Sequence, residues 1–543
     1  MAATAEGHER ALADRGLRKG LGAYYTPPDV VDGLLQLALD PLLASRVAAA
    51  GDRAGAVASI AELRVLDPAC GTGNFLVVVV ERIAAVLVGL GVEPLEAARV
   101  ATRCVRGIEL DAATARRCRA DLRAIHRDGG GRTIVCGDAL LGAGPVRRTG
   151  FDLVIGNPPF LSQLATTTAR SRAEAEGLRS RFGPAVGPYT DPAAVFLLAA
   201  LHAARADGGV VCLIEPLSLV SARDARGVRA AALTDASLTA MWVAQHLVFD
   251  ADVEVCAPVL VRGADGTSTR LVRGRSFVDG GLVDAPSPNA ASWSSLLAAL
   301  QDLPERTLET SGVLGDLAEA TADFRDQYYG LAGSVVDRPR GGPNHPPLVT
   351  SGLIDPARLE WGSRSCRFNK VGYLHPRVDL AGLTPQLQDW AARRLVPKVL
   401  VATQTRVIEA IADIGGDLLP SVPVITVTAR DGSDPAALWR IAALLNAPAT
   451  TLVAARRHLG SARNASALRL SASDVLALPL PADDRAWARG ARCFEEASGE
   501  ADPDRRRAKL RASAVAMGAA FGLPADDDLV GWWEARLPHT GRR

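Results

Sequence analysis

The stretch LRVLDPACGTGNFLVVVVERIAAVLVGL, residues 63 to 90, decides the fold class. It contains a short apolar run, 63–68, then a Gly-containing turn, then a long apolar segment, 75–90. The first run has the length of a buried strand, and the last segment has the length of a buried helix. A strand, a tight turn and a helix in this order predict the first unit of a parallel, doubly wound sheet.

The same alternation continues along the chain. Four more strand-like runs end in polar or Gly/Pro turns, at 105–111, 133–140, 151–159 and 208–216. Helical segments alternate with them at 93–103, 113–127 and 191–204. Continuous apolar strands suit a parallel sheet that is covered by helices on both faces. The sequence therefore predicts an α/β fold with a Rossmann-like doubly wound sheet.

Composition excludes several classes of protein. The chain of 543 residues is 48% apolar and 22% charged, which excludes a disordered or fibrous protein and predicts two or three domains. No run of about 18 uncharged apolar residues is present, and the start MAATAEGHERALADR lacks the apolar core of a signal peptide. We therefore expect no membrane segment and a cytoplasmic location. The 8 scattered cysteines form no CxxC pair, so we expect reduced thiols and no metal site.

The texture of the sequence changes beyond residue 263. Regular alternation gives way to Gly/Asp-rich, Pro-rich and Arg-bearing segments. The domain boundary is expected between 263 and 300. Residues 331–480 carry 17 Lys and Arg against 11 Asp and Glu, a local net charge of +6, whereas the whole chain carries +1. The expected organisation is an N-terminal extension, a doubly wound domain, a mixed α+β domain and a helical C-terminal segment, at 1–20, 21–262, 263–481 and 482–543 respectively.

Polar residues gather where the predicted strands end. Gly71 and Gly73 lie in the first strand-to-helix turn, where a backbone without side chains can approach a ligand. Glu109 ends the second strand and can accept both ribose hydroxyls of an adenosine. Asp138 ends the third strand and can accept from the exocyclic amine of the adenine. In an open α/β sheet these positions meet at one edge, so together they predict an adenosine-containing cofactor.

The fourth strand ends in Asn157, Pro158, Pro159 and Phe160. The side-chain oxygen of Asn157 and the carbonyl of Pro158 are two acceptors, and Pro159 holds the chain extended at Pro158. Two acceptors that point to one place suit an NH2 donor such as the exocyclic amine of a base. The ring of Phe160 offers a flat surface against which a planar base can stack.

At these residues the chain resembles the S-adenosylmethionine-dependent amino-methyltransferases, and in particular the gamma-class DNA adenine-N6 methyltransferases of restriction-modification systems. DPACGTGNF resembles their cofactor loop, NPPF their catalytic motif, and LGAYYTPPDVVDGLL, residues 21–35, the segment that closes over the methionine end of the cofactor. The resemblance implies S-adenosyl-L-methionine as cofactor. It implies cofactor contacts at Tyr25, Thr26, Pro27, Asp67, Pro68, Ala69, Gly71, Gly73, Phe75, Glu109, Leu110, Asp138, Ala139 and Asn157.

The resemblance also implies a reaction. Adenine N6 would receive the methyl group directly, with Asn157, Pro158, Pro159 and Phe160 as catalytic residues and no covalent enzyme intermediate. Because N6 is not accessible inside the base stack, the adenine would be flipped into the pocket. By the same resemblance Phe249 would be the second aromatic residue that stacks on the flipped base, opposite Phe160.

The C-terminal part resembles, more loosely, a target-recognition domain of the same family. Double-stranded DNA is therefore the expected partner, with a separate restriction nuclease or defence-system subunits as further candidates and a monomer as the favoured state. The candidate phosphate or guanine contacts are the basic residues Arg364, Arg367, Lys370, Arg393, Arg394, Lys398 and Arg406.

Other functions stay open at the level of sequence. NPPF also occurs in guanine-N2 ribosomal RNA methyltransferases, so methylation of RNA is one alternative, and a protein glutamine presents a similar planar amide. A DNA-recognition subunit that depends on partner proteins is a non-enzymatic alternative. The DNA sequence that would be recognised does not follow from these residues.

Overall fold

The computed structural model describes residues 26–127, 133–142, 150–160, 171–244, 247–249, 253–290, 292–301, 303–323, 325–431, 434–458 and 467–538. The predicted N-terminal extension, 1–20, and Tyr25 lie outside the described residues. The described chain divides into two compact units, one that ends at Leu300 and one that begins at Gln301.

A mixed sheet forms the centre of unit 1. Its strands are β1 (Val65–Asp67), β2 (Val105–Glu109), β3 (Ile134–Cys136), β4 (Leu153–Gly156), β5 (Val210–Leu213), β6 (Glu215–Pro216), β7 (Ala236–Val243), β8 (Val255–Arg262), β9 (Ser268–Arg273) and β10 (Val278–Asp284). The strand order is β10-β9-β7-β8-β5-β4-β1-β2-β3, and β6 pairs with β8. The strands from β3 to β5 are parallel, β8 is antiparallel to both of its neighbours, and β9 is parallel to β7.

Helices cover both faces of this sheet. Those described in unit 1 are α1 (Pro28–Ala38), α2 (Asp40–Ala48), α3 (Arg53–Ala61), α4 (Asn74–Gly89), α5 (Pro94–Cys104), α6 (Ala112–Ile125), α7 (Arg172–Phe182), α8 (Pro192–Ala203), α9 (Arg226–Asp235) and α10 (Ser294–Leu300). Several begin with a side-chain cap and a proline in the first turn: at α8 the carboxylate of Asp191 accepts from Ala193 N, and Pro192 follows the cap. Such a start satisfies a free N–H group and fixes φ. The predicted doubly wound α/β fold is confirmed.

The sheet of unit 1 continues beyond the predicted end of the first domain. Residue 262 ends β8, but β9 and β10 extend the same sheet and α10 contacts both of them. The boundary at 262/263 is thus corrected to 300/301, at the far end of the 263–300 interval. The sequence did not indicate this because β10 is an exposed edge strand with two glycines, which lacks the apolar signal of a buried strand.

Unit 2 combines a four-stranded sheet, β12-β23-β20-β21, with five separate pairs of short strands. Its strands are β11 (Thr310–Val313), β12 (Ala318–Ala322), β13 (Val335–Asp337), β14 (Leu348–Val349), β15 (Ile354–Asp355), β16 (Arg358–Leu359), β17 (Cys366–Phe368), β18 (Val371–Tyr373), β19 (Pro376–Val378), β20 (Lys398–Val401), β21 (Ala410–Asp413), β22 (Leu419–Pro420), β23 (Ile425–Ala429) and β24 (Pro479–Pro481). The mixed α+β character of this part is as the sequence predicts.

The helices of unit 2 are α11 (Arg325–Leu331), α12 (Pro385–Arg394), α13 (Pro435–Leu445), α14 (Pro448–His458), α15 (Ala472–Leu476), α16 (Asp484–Ser498), α17 (Pro503–Ala520) and α18 (Leu529–Glu534). The helical C-terminal segment predicted at 482–543 contacts α13 and α14 and is part of unit 2, not a separate unit. Among the described residues no single helix is long and apolar enough to cross a membrane; α13 and α14 together pass that test of length and composition, with a bend of 54° between them.

Asp152, at the start of β4, joins three segments of unit 1. Its carboxylate accepts from Arg46 Nη2 at 2.5 Å, from Arg205 Nη1 at 3.0 Å and from the backbone N–H of Arg64 at 2.9 Å. The side chain of Asp152 is only 5% exposed, so solvent screens these contacts little. The carboxylate therefore fixes the beginning of β4 to α2 and to the segment before β1.

We predict that Asp152→Asn lowers the free energy of unfolding by about 2–3 kcal/mol, because two arginines lose a partly buried anionic partner. Urea denaturation followed by tryptophan fluorescence measures the change. Glu176→Gln is the matched control: its pair with Arg172, at 2.9 Å, is solvent-exposed and should contribute less than about 0.5 kcal/mol. Equal effects of the two substitutions would contradict the role of Asp152.

Candidate active site

The turns that follow β1 and β4 lie side by side. The two strands pair in parallel, with Val65 opposite Leu153 and Leu66 opposite Val154, so both leave the sheet at the same edge. A Cβ atom at Gly156 would lie 2.4 Å from Oδ1 of Asp67, closer than any real contact. Glycine at the end of β4 thus allows the buried carboxyl group of Asp67 to pack directly against the strand that leads to Asn157.

The turn between β1 and α4 exposes its backbone. Gly71 and Gly73 have φ values of 54° and 97°, which L residues with a side chain rarely adopt. No heavy atom lies within 4 Å of a Cβ placed on Gly71, whereas one placed on Gly73 would lie 2.8 Å from Sγ of Cys118. Gly73 caps α4, and Phe75 in the first turn of that helix is buried in the core. The turn is therefore packed against the core at Gly73 and open at Gly71.

The ends of β2 and β3 bring further carboxylates to this edge. Glu109 accepts from the N–H of Gly71 at 3.0 Å and from the N–H of Asp111 at 2.8 Å, which ties the end of β2 to the glycine turn. Asp138 is exposed, and its Oδ1 accepts from the N–H groups of Leu140 and Leu141 at 2.7 and 3.0 Å. Of the other predicted contacts here, Leu110 is 65% exposed, Ala69 is half-buried, and Pro68 and Ala139 are buried.

Burial changes the protonation of two carboxyl groups at this edge. It raises the pKa of Asp67 to about 7; the hydrogen bond from Ala69 N, at 3.0 Å, opposes the rise, and the charge of Glu109 adds to it. Burial also raises the pKa of Glu109, although the hydrogen bonds from the N–H groups of Asp111 and Gly71 oppose this rise. Asp67 is therefore partly protonated near neutral pH, and a cation bound beside it would favour its ionised form.

Asn157 is held by the segment that precedes α1. Its Nδ2 donates to Oγ1 of Thr26 at 3.1 Å, across 131 residues of sequence. Thr26 is 3% exposed, and Pro27 caps α1 immediately after it. Because the threonine accepts from the amide nitrogen, the other end of the amide group presents Oδ1 as the acceptor. The structure thus brings the predicted cofactor-closing segment and the predicted catalytic asparagine into direct contact.

The two predicted stacking residues contact each other. The ring centroids of Phe160 and Phe249 are 6.0 Å apart, with a tilt of 50° between the ring planes. Phe160 is partly exposed and Phe249 is 8% exposed. Of the two prolines before Phe160, Pro158 is buried and Pro159 half-buried. Sequence proximity could not indicate this ring pair, because 88 positions separate its members.

A buried carboxyl group that was not among the predicted residues lies next to this site. Glu215 forms β6 beyond the end of β5, and Ile214 before it donates its N–H to the carbonyl of Gly156 at 3.0 Å. The Glu215 side chain is 0% exposed, and within the described structure neither of its oxygens has a hydrogen-bond partner. Burial, reinforced by the charge of Asp191, raises its pKa well above the ordinary value. Its position as a single acidic residue within the apolar run GGVVCLIEPLSLV is the feature of the sequence that could have indicated a buried acid.

The seven predicted DNA-contacting cations, all in unit 2, divide into two groups. Arg364 forms a bidentate pair with Asp355, at 2.8 and 2.6 Å, and Arg394 pairs with Asp323 at 2.6 Å. Lys398 is fully buried and pairs with Asp413. These three residues are corrected to structural ion pairs, which sequence cannot distinguish from surface charges because the fold alone brings each carboxylate to its cation. The other four predicted residues are exposed: Arg367, Lys370, Arg393 and Arg406.

No group of three or more His, Cys, Asp or Glu side chains in the described part of the chain could hold a metal ion. The buried thiols of Cys70 and Cys118 form no disulfide, and their mutual hydrogen bond together with burial raises the pKa of Cys70. The site is therefore composed of backbone, amide, carboxyl and aromatic groups.

We predict that Glu215→Gln makes the protein less sensitive to alkaline pH. In the wild type the pKa of Glu215 is higher in the folded state than in the unfolded state, so stability falls as pH rises from the unfolded value toward the folded one. Glutamine has the same shape and no proton to lose. The stability difference between variant and wild type, measured by urea denaturation, should increase from pH 5 to pH 8. A difference that does not change with pH would contradict the protonated state of Glu215; the other carboxyl groups are the same in both proteins and cancel.

The comparison with protein families and known structures agrees with this arrangement. Residues 11–273 match the family model for N-6 DNA methylases. No curated protein matches the sequence. Among solved structures, the type IIL restriction-modification enzyme MmeI in complex with DNA has a similar fold: the TM-score is 0.64 at 12% identity, over 96% of this chain and 78% of that one. The DrdV–DNA complex gives a TM-score of 0.53 at 14% identity, over 90% of this chain and 58% of that one.

The matched segment, 11–273, contains the glycine turn, the carboxylates at the ends of β2 and β3, and the NPPF segment. The likeness to MmeI and DrdV concerns the fold, and it extends through unit 2. Residues 11–273, just under half of the chain, accordingly match the N-6 DNA methylase family, which supports an adenine-specific DNA methyltransferase.

Proposed function

We propose that the protein transfers a methyl group from S-adenosyl-L-methionine to N6 of an adenine that is flipped out of duplex DNA, at a specific sequence. One observation supports this most strongly: Asn157, at the end of β4, lies beside the open glycine turn at the end of β1 and is oriented by Thr26. The proposed cofactor turn and the proposed amine-binding motif are thus adjacent, and a direct transfer of the methyl group requires this.

The residues at this edge fit the proposed cofactor. Gly71 leaves open space above the turn, and Glu109 and Asp138 supply carboxylates at the next two strand ends. The exposed side chain of Leu110, between them in sequence, offers an apolar surface to an adenine ring. Asp67 would lie near the methionine part with Thr26 and Pro27, and would favour its positive charge. When bound, S-adenosylmethionine would supply an electrophilic methyl group.

Asn157 and Pro158 would hold the target amine. The oxygen of the Asn157 amide and the carbonyl of Pro158 each accept one hydrogen of the N6 amino group. This fixes the direction in which the nitrogen lone pair points and lowers its delocalisation into the ring. The methylated amine that results is strongly acidic and can lose its extra proton to water, so no dedicated general base is required.

Phe160 and Phe249 would receive the flipped base. Extrusion of a paired adenine costs a few kcal/mol, and stacking on an aromatic ring recovers about 1–3 kcal/mol. The two rings contact each other in the present structure. A base that enters between them would replace this ring contact with two base–ring contacts.

We further propose that the protein is a gamma-class enzyme of a restriction-modification or phage-defence system. The order of its segments, with the cofactor-closing segment before the glycine turn and a C-terminal recognition domain, supports the class. MmeI, whose fold is similar, is a type IIL restriction-modification enzyme. Unit 2 would then select the DNA sequence, and a separate nuclease or other subunit could act with the chain.

The proposed function is tested by mass spectrometry of nucleosides from duplex DNA incubated with the purified protein and S-adenosylmethionine. We predict N6-methyladenine for the wild type. For Asn157→Ala we predict at least a hundredfold lower rate, because one of the two acceptors is lost, with cofactor affinity changed much less. Asn289→Ala, at an exposed asparagine of the same unit, is the matched control and should retain the parental rate.

A companion variant examines how Asn157 is oriented. Thr26→Val keeps the shape of the side chain but removes the oxygen that accepts from Asn157 Nδ2. Its rate should lie between those of the wild type and Asn157→Ala. If Asn157→Ala methylates DNA at the parental rate, the assigned acceptor role is wrong. If the wild type forms a different methylated nucleoside, the assigned substrate is wrong.

We also predict that S-adenosylmethionine binds more tightly at higher pH. The pKa of Asp67 is raised to about 7 by burial, and the positively charged cofactor favours the ionised carboxylate. If only the ionised form binds, affinity should increase about tenfold from pH 6 to pH 8. Isothermal titration calorimetry measures it, and Asp67→Asn should remove this increase. If the affinity of Asp67→Asn for the cofactor increases with pH to the same extent, the pH dependence belongs to another group, such as Glu109.

A further inference from the structure

We propose that the β17–β18 hairpin of unit 2 is a ribbon that reads DNA in the major groove, with Arg367 as the base-contacting residue and Lys370 as a phosphate contact. The inference rests on the proposed function, because it takes duplex DNA as the substrate. It names the element of unit 2 that would determine sequence specificity.

The hairpin is short and tightly turned. Cys366 pairs with Tyr373, Arg367 with Gly372 and Phe368 with Val371, so only two residues connect the strands. These residues, Asn369 and Lys370, have φ values of 46° and 68°. Positive φ at both positions is typical of the type I′ turn, whose twist matches that of two antiparallel strands. The two strands therefore remain paired up to the tip, which carries Lys370.

One side of the hairpin is anchored in the core of unit 2. Phe368 is 1% exposed, and its ring centroid lies 4.6 Å from that of Tyr328. The hydroxyl oxygen of Tyr328 accepts from the N–H of Asn369 at 2.8 Å. The turn is thus held by a hydrogen bond as well as by packing. An anchored ribbon loses little conformational entropy when a ligand binds it.

The other side of the hairpin presents a cation over open space. Arg367 is exposed and lies opposite Gly372, and a Cβ placed on Gly372 would meet no atom within 4 Å. A side chain on the opposite strand therefore does not cover the arginine. In the described structure neither Arg367 nor Lys370 has a side-chain hydrogen bond or ion pair. They differ in this from Arg364, Arg394 and Lys398, whose charges are neutralised within the unit.

The charge next to the hairpin is also positive. Arg338 and Arg340 follow β13 and are exposed, and the N–H of Arg338 donates to the carbonyl of His375, two residues after β18. The nearby carboxylate of Asp337 accepts from the N–H groups of Leu374 and His375, and the two arginines outweigh its single negative charge. Exposed cations without carboxylate partners are the expected electrostatic footprint of a phosphate backbone.

These features together favour a nucleic-acid groove over an acidic protein partner. The major groove of B-DNA admits a two-stranded ribbon, and an arginine in it can donate two hydrogen bonds to a guanine. A cation at the turn, such as Lys370, is placed to reach a phosphate when the ribbon enters the groove. The glycine opposite Arg367 removes the side chain that would otherwise keep base edges away from the guanidinium group.

The test compares full-length wild type with Arg367→Ala, Arg367→Lys and Lys370→Ala on a duplex pool in which the bases around each adenine are randomised. Sequencing of N6-methyladenine gives the preferred sequence. We expect Arg367→Ala to lose about tenfold or more of its preference at one base pair of the site, and Arg367→Lys to lose part of it. Lys370→Ala should weaken DNA binding equally on all sequences and reduce its salt dependence by about one counterion.

Arg489→Ala, an exposed arginine of α16, controls for loss of one positive charge and should change neither property. Thermal unfolding and cofactor binding confirm that each variant folds. If the wild type is site-specific and Arg367→Ala keeps the same site at the same rate, or loses rate equally on all sequences, the base-reading role of the hairpin is overturned while the proposed function stands. If the wild type forms no N6-methyladenine, both proposals fall together.

Discussion

The parallel pairing of β1 with β4 is the constraint on which the rest of the candidate site depends. It brings two turns together that are 90 residues apart in sequence, and Gly156 reduces the space between them to the width of the Asp67 carboxyl group. Any larger residue at 156 would push Asp67 away from the strand or out of its hydrogen bond with Ala69 N. The geometry of the glycine turn and that of the NPPF segment are therefore coupled through one close contact.

A second constraint on the site comes from β9 and β10, which lie at the opposite end of the strand order from β3. Asp29 on α1 forms a bidentate pair with Arg275, at 2.7 Å for both contacts, and the ring of Phe277 occupies the space that a side chain at Gly33 would need. Phe277 also stacks on Trp242 at 5.3 Å. The connection between β9 and β10 thus holds the helix whose N-terminal segment contacts Asn157. This extension of the sheet is therefore packed against α1 within unit 1.

The sequence predicted what depends on residue type and local order. The positions of Gly71, Glu109, Asp138 and Asn157 at or just after strand ends follow from apolar runs that stop at polar turns, and parallel pairing then puts these ends at one edge. Pairings between distant segments could not be predicted. Arg364 and Arg367 are neighbours with the same charge, yet only the fold gives Arg364 a carboxylate partner in Asp355. The raised pKa of Glu215 is equally hidden, since it depends on burial and not on sequence context.

Electrostatics in this protein is therefore a question of which charges remain unpaired. The formal charge of the chain is close to zero, and several cations of unit 2 are neutralised by carboxylates within it. A cation that is paired inside a unit binds a polyanion less readily, because a new partner must first displace the old one. Arg367 has no such partner to displace, and the glycine across the hairpin keeps its approach open. Under the proposed function, an anchored ribbon with an unpaired arginine would supply both the charge that attracts DNA and the directional donors that distinguish bases.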